Sequence, residues 1–183
     1  MNSIKQELAN WGESLEDFHL PRWDALPDLE LYMDQVIKLI DQYLAPVIRP
    51  EKHTLLTSSM VNNYVKLGLI PAPQKKRYTR KHVAFLVAIT SLKQILTIPE
   101  IKEGIIFQGK MCGIQEAYNI FCYEQEQAIH RIAYQAQGKL YEETSKDAVE
   151  FIAVRAATLA FANKMLAEKT IALETAYIKE QKT

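Results

Sequence analysis

The sequence is poor in the residues that most often announce chemistry: among 183 residues there are two cysteines, four histidines and six glycines. Cys112 and Cys122 are too few and too widely spaced for a disulfide framework or a zinc site. On one helix, at about 100° per residue, they point to different faces, so they read as core thiols. His19, His53, His82 and His130 make no His-Glu-x-x-His pattern, and the glycines form neither a P-loop nor a dinucleotide fingerprint. Glu126 and His130 are the one close acid-histidine pair, at the i, i+4 spacing of a surface contact. No catalytic, cofactor or metal site is expected, and the protein does not read as an enzyme. No apolar run approaches the ~18 to 20 residues of a membrane span, and residues 1–10 lack a signal-peptide core. The expectation is a cytoplasmic protein with no membrane partner. Net charge is also missing: 22 basic residues balance 22 acidic ones, which excludes an all-over cationic nucleic-acid binder.

What is present is apolar content, 48% of the chain, patterned for helices. Residues 1–27 read as an N-terminal strap: Ser3 with Gln6 suggests a capped short helix, Pro21 and Pro27 break regular structure, and Trp11, Phe18 and Trp23 are packing anchors. Asp28 is a candidate N-cap for a helix burying Tyr32, Val36, Leu39, Ile40, Tyr43 and Leu44, stopped by Pro46 and Pro50. Thr57-Ser58-Ser59 caps a short second helix, and Gly68 closes it as its left-handed terminal residue. Two prolines keep residues 69–78 out of a helix, and their length suits an extended turn or small β-hairpin. Thr79 caps a third helix that is substantially buried, through Val83, Leu86 and Ile89 or through Phe85, Ile89, Leu92 and Leu96. Thr97 with Glu100, and Pro99 in the first turn, restart a short fourth helix expected to end near Gly104. Gly104, Gly109 and Gly113 mark a hinge.

Beyond the hinge, residues 114–180 lack proline and predict two long antiparallel helices with a break from Gly138 to Ser145. One face is marked by Ile114, Tyr118, Phe121, Ile129, Ile132 and Ala136, the other by Ile152, Arg155 or Ala156, Leu159, Ala162 or Asn163, and Leu166. A helical pair leaves an apolar stripe uncovered, so this half must pack on the first domain, on a second copy, or on both, and both is the expectation. Tyr118, Phe121, Tyr123, Tyr134 and Tyr141 are either core or the lining of a cavity for a small apolar effector.

The zero net charge hides an asymmetry. From Glu51 to His82 the basic residues are Lys52, Lys66, Lys75, Lys76, Arg77, Arg80 and Lys81 against Glu51 alone, 7 − 1 = +6. Residues 1–50 hold four basic and nine acidic side chains, 4 − 9 = −5. A charge run is usually a solvated face, but this one brackets a helix whose outward positions are Ser58, Ser59, Asn62, Asn63 and Lys66, while Met60, Val61, Tyr64 and Leu67 can face a core. Asn pairs bidentately with adenine, Ser serves base or phosphate, and Lys and Arg in the following loop neutralise phosphates.

The residues Asn63-Tyr64-Val65-Lys66-Leu67-Gly68-Leu69-Ile70-Pro71, then Arg77-Tyr78-Thr79, Val83 to Ile89, and Ile98-Pro99-Glu100-Ile101-Lys102 resemble the winged helix-turn-helix of the MerR regulators. Over a greater length, including Leu31 to Val36 and Thr57 to Tyr64, the chain resembles an uncharacterised bacterial family of unknown function with MerR-like character. The resemblance implies an all-α protein with a winged helix-turn-helix domain at 28–105. It also implies double-stranded DNA as partner, transcription regulation as role, and residues 114–183 as a dimerisation or sensor domain that forms a homodimer. Carried across, Tyr64 falls on a recognition-helix tyrosine that contacts phosphate or packs the helix, Asn62 on a DNA-contacting arginine, Asn63 on the first tyrosine, and Arg77 in the wing. The wing glycine of those regulators is missing here. The candidate DNA-binding residues are therefore Ser58, Ser59, Asn62, Asn63, Tyr64, Lys66, Lys75, Lys76, Arg77 and Arg80. The alternative is a helical protein-interaction module whose winged fold is not used on DNA.

Overall fold

A computed structural model describes residues 2–48, 55–142 and 148–181, and among these there are six α-helices and no strand. They are α1 (Asn2–Glu13), α2 (Met33–Leu44), α3 (Ser58–Lys66), α4 (Arg80–Leu92), α5 (Ile98–Ala136) and α6 (Ile152–Glu180). Short 3-10 turns occur at Trp23–Ala25 and Val149–Phe151. The chain forms two compact units: a central one, Leu20–Cys122, and a terminal one made of Met1–His19 with Tyr123–Thr183. The units break the chain at different places from the strap, middle and C-terminal segments suggested by composition.

In the central unit, α2 turns Val36, Ile40 and Leu44 inward at helical spacing and packs against α4, which contributes Val83, Leu86, Val87 and Ile89. At about 25 cal/mol per Å², burying each such side chain is worth ~1.5 to 3 kcal/mol. α3 lies against α2 and inserts Val61 and Tyr64. Asp28 does not cap α2. The helix begins later, because the Leu31 backbone is committed to Tyr78, with N–H···O bonds in both directions at 2.8 and 2.9 Å. The Tyr32 N–H then donates to Gln35 Oε1 at 2.8 Å to start the helix. Pro46 follows the helix end as expected, while Pro50, with Arg49, Glu51, Lys52 and His53, lies outside the described residues.

Thr97 and Glu100 form the expected box: Glu100 Oε2 accepts from the Thr97 N–H and hydroxyl, both at 2.7 Å. The helix it starts is not short. α5 passes through Gly104 and Gly109 and is interrupted only at Gly113, where φ 80° and ψ 163° are open to glycine and little else. A lone glycine costs a helix only about 1 kcal/mol, too little to stop one. Past Gly113, Tyr118 and Phe121 are core: Tyr118 meets Trp23 edge-on at 6.5 Å and donates its hydroxyl to the Pro21 carbonyl at 3.0 Å. Burial drives the Tyr118 phenol far above its ordinary pKa. Cys122 is buried as expected, whereas Cys112 is half-exposed beside the interruption.

In the terminal unit, the first residues are a full helix, α1, packed on α6. At Gly12 a Cβ would stand 2.5 Å from the Ala133 carbonyl oxygen, so the backbones approach as only glycine permits. Ile129, Ile132, Ala133 and Ala136 of α5 and Ala157, Thr158, Phe161 and Ala162 of α6 are buried. Arg155 pairs with Glu124 at 3.3 Å. Ile152, read as a packed position, is exposed. Glu126 and His130 are not partners. Glu126 faces His19 Nδ1 at 3.1 Å, and His130 Nε2 lies 3.0 Å from the Phe18 carbonyl, so both hold the end of the α1 segment. Gly138 takes φ 71° where the break begins, and Ser145 lies outside the described residues.

Candidate nucleic-acid interface

α3 is short, and both its ends are fixed by side chains. At the start, the Met60 N–H donates to Thr57 Oγ1 at 3.2 Å. At the end, Gly68 adopts φ 64°, its N–H reaches the Val65 carbonyl at 3.0 Å, and the Leu69 N–H reaches that of Tyr64 at 2.9 Å. Lys102, from α5, donates to the Leu67 carbonyl at 2.6 Å, a cation placed against the negative end of the helix. Lys93, at the end of α4, donates to the Leu55 carbonyl and lies 3.5 Å from Met60 Sδ, fixing the approach to α3. Burial lowers the Lys93 pKa. Neither lysine has a local sequence signal, because each acts over more than 30 residues of separation.

With Val61 and Tyr64 turned inward, Ser58, Ser59, Asn62, Asn63 and Lys66 are all exposed. At about 100° per residue they share an arc of roughly 140° on one side of the helix. Tyr64 is the exception among the candidates. At 4% exposure it takes the packing role, and burial raises its phenol pKa.

Residues 74–77 follow as a tight turn closed by the Arg77 N–H on the Gln74 carbonyl at 2.8 Å. Its central residues, Lys75 and Lys76, hold φ 48° and 62°. Two positive φ angles in a two-residue loop are the I′ geometry that Asn-Gly normally occupies. Here the turn is made by two lysines in left-handed conformations, with both side chains exposed. Tyr78, next to the turn, is buried against His82 with ring centroids 5.3 Å apart. His82 is itself buried and caps α4, its Nδ1 accepting from the Thr79 N–H at 3.0 Å. Burial holds the His82 pKa below the ordinary value, with the Pro71 carbonyl opposing that shift and Lys81 adding to it.

The cations of this region are not equivalent. Lys66, Lys75 and Lys76 have no ion-pair partner among the described residues. The Arg77 guanidinium lies over Tyr32, 3.6 Å from the ring centroid, a contact that orients it while leaving its charge in place. Arg80, by contrast, is drawn to the acidic segment before α2, 3.4 Å from Asp28 and 4.0 Å from Asp24. It is an internal ion pair rather than an open cation. Lys81 sits 5.9 Å from the Phe85 ring. Nothing short-range in the sequence marks Tyr32 or Asp28, since the chain must fold before either meets its arginine. No group of three or more His, Cys, Asp or Glu that could hold a metal ion occurs among the described residues.

No curated protein and no solved structure matches the chain. A family profile does: the domain of unknown function DUF1836 matches residues 21–125. That span nearly coincides with the compact central unit and contains α3, the lysine turn and both lysines that hold α3 in place. More than half of the sequence is covered, and the chain belongs to the DUF1836 family.

Proposed function

We propose that the central unit binds double-stranded DNA as a transcription regulator of winged helix-turn-helix type. In this reading the outward arc of α3 enters the major groove and the Lys75-Lys76 turn rests on the flanking backbone as the wing. One observation carries it: five hydrogen-bonding side chains, Ser58, Ser59, Asn62, Asn63 and Lys66, stand exposed on a single face of a helix braced at both ends. Asn62 and Asn63 offer bidentate amides to adenine, and Ser58 and Ser59 serve base edge or phosphate. Lys66, Lys75 and Lys76 neutralise phosphates, and Arg77, aligned by Tyr32, adds a fourth positive group. Tyr64 and Arg80 support the helix and turn rather than touch DNA. No helix is long and apolar enough to cross a membrane among the described residues, in keeping with a cytoplasmic regulator. A homodimer sets two α3 helices about one DNA turn, ~34 Å, or a multiple apart, and so selects a palindromic site.

Selection of bound sequences from random duplexes tests the reading. The full chain is expected to enrich a two-fold site, and Asn62→Ala is expected to relax base preference at one position per half-site, a loss of ~1 to 3 kcal/mol in discrimination. The second reading, an interaction module that does not touch DNA, is favoured by the neutralisation of Arg80 by Asp24 and Asp28. It predicts no enriched sequence.

A further inference from the structure

We propose that the part of α5 before Gly113 is a self-association surface, taking the same stretch of a second copy in antiparallel orientation. Ile101 and Tyr118 are buried, yet no residue from Lys102 to Ala117 is. A helix this long and this unpacked draws little stability from its own hydrogen bonds, since most helical stability in proteins comes from a covered apolar face. The uncovered face is apolar at its centre: Ile106, Phe107 and Met111 are 46%, 50% and 57% exposed. Single exposed apolar side chains are ordinary, but three adjoining ones on one helix are a contact surface.

The charges on the same side identify the occupant. At about 100° per residue, Lys110 lies roughly 20° from Glu103 around the axis, with Ile106 and Phe107 on either side and Met111 beyond Phe107. Glu103 and Lys110 are both exposed, and neither has an ion-pair partner among the described residues. A two-fold axis between positions 106 and 107 sets Glu103 opposite the partner's Lys110, Lys110 opposite the partner's Glu103, and Ile106 opposite the partner's Phe107. This is the reciprocity that an isologous interface demands. A parallel copy would place like charge against like. The apolar centre supplies the attraction, while the exposed ion pairs, weak in themselves, set orientation and register. The surface precedes the 114–180 region that composition singles out for dimerisation, and the inference stands whether or not the chain binds DNA.

The test is the mass of the full chain by sedimentation equilibrium over a range of concentrations, without DNA. The expected species is a dimer. Glu103→Lys and Lys110→Glu each bring two like-charge pairs together, and each is expected to weaken the dimer at least about tenfold in Kd, equivalent to ~1.4 kcal/mol. The combined Glu103→Lys, Lys110→Glu chain is expected to recover the dimer. Both positions are exposed, so far-UV circular dichroism is expected to stay unchanged in all three variants. A monomer at every concentration, a dimer indifferent to both single reversals, or a double variant that stays dissociated overturns the proposal. So does a dimer disrupted only by Ile171→Glu in α6.

Discussion

Lys75 and Lys76 occupy backbone angles that cost a side-chain-bearing residue about 1 to 3 kcal/mol each, with no ion pair among the described residues that repays it. A turn optimised for stability would carry Asn-Gly, and in the proposed reading the lysines are kept for the phosphates they neutralise. Lys75→Asn with Lys76→Gly is therefore expected to raise the melting temperature, with a gain of about 1 kcal/mol or more, while weakening duplex binding and reducing its salt slope by ~2. Thermal unfolding and anisotropy titration on the same sample separate the two effects. His82 makes a second prediction nearby. Its Nδ1 is occupied by the Thr79 N–H and its ring is buried, so the folded protein prefers the neutral form. Its folded pKa lies below the unfolded value of about 6.5. The unfolded chain therefore binds the proton first, and stability that is complete above pH ~6.5 is lost as pH falls from there through the folded pKa. His82→Gln keeps an acceptor for the Thr79 N–H and removes the titration, so denaturation midpoints are expected to fall less with acid in that variant than in wild type.

The course of α5 turns on one glycine of three. Gly113 holds φ 80° and ψ 163°, which no other residue adopts cheaply, so Gly113→Ala is expected to cost ~1 to 3 kcal/mol. A Cβ at Gly104 meets nothing within 4 Å, so Gly104→Ala is expected to stabilise by up to about 1 kcal/mol. Denaturant unfolding of the two variants checks the opposite signs. From the sequence the three glycines look alike, yet only Gly113 interrupts the helix, because local composition does not specify φ. The other elements differ in how much was legible. The caps Thr57, Thr79 and Thr97, the Gly68 terminus and the faces of α3 and α4 follow from residues within one or two turns of each other, and the sequence displays them. The late start of α2 depends on Leu31 finding Tyr78, and the fate of Arg80 on Asp28, contacts across about 50 residues with no local trace. The outward face of α3 follows from the same residue pattern as Val61 and Tyr64 on its core face, but Leu67, expected with them, is 45% exposed because the helix ends there at Gly68.

For the whole molecule, a net charge of zero conceals a division of labour between segments. The acidic stretch before α2 cancels part of the basic region through Arg80, while Lys66, Lys75, Lys76 and Arg77 have no ion-pair partner among the described residues. The family match falls on this central unit, which places the helix, the turn and their supports in the part of the chain that defines the family. The claim that these open cations meet phosphates is tested most directly by duplex binding of the full chain across a salt series, wild type beside Lys66→Ala, Lys75→Ala, Lys76→Ala. The account predicts that log K falls linearly with log salt in the wild type and that the triple variant is shallower by roughly 2.7, about 0.9 for each phosphate that is no longer neutralised. Binding that ignores salt, or a triple variant with the wild-type slope, would contradict it.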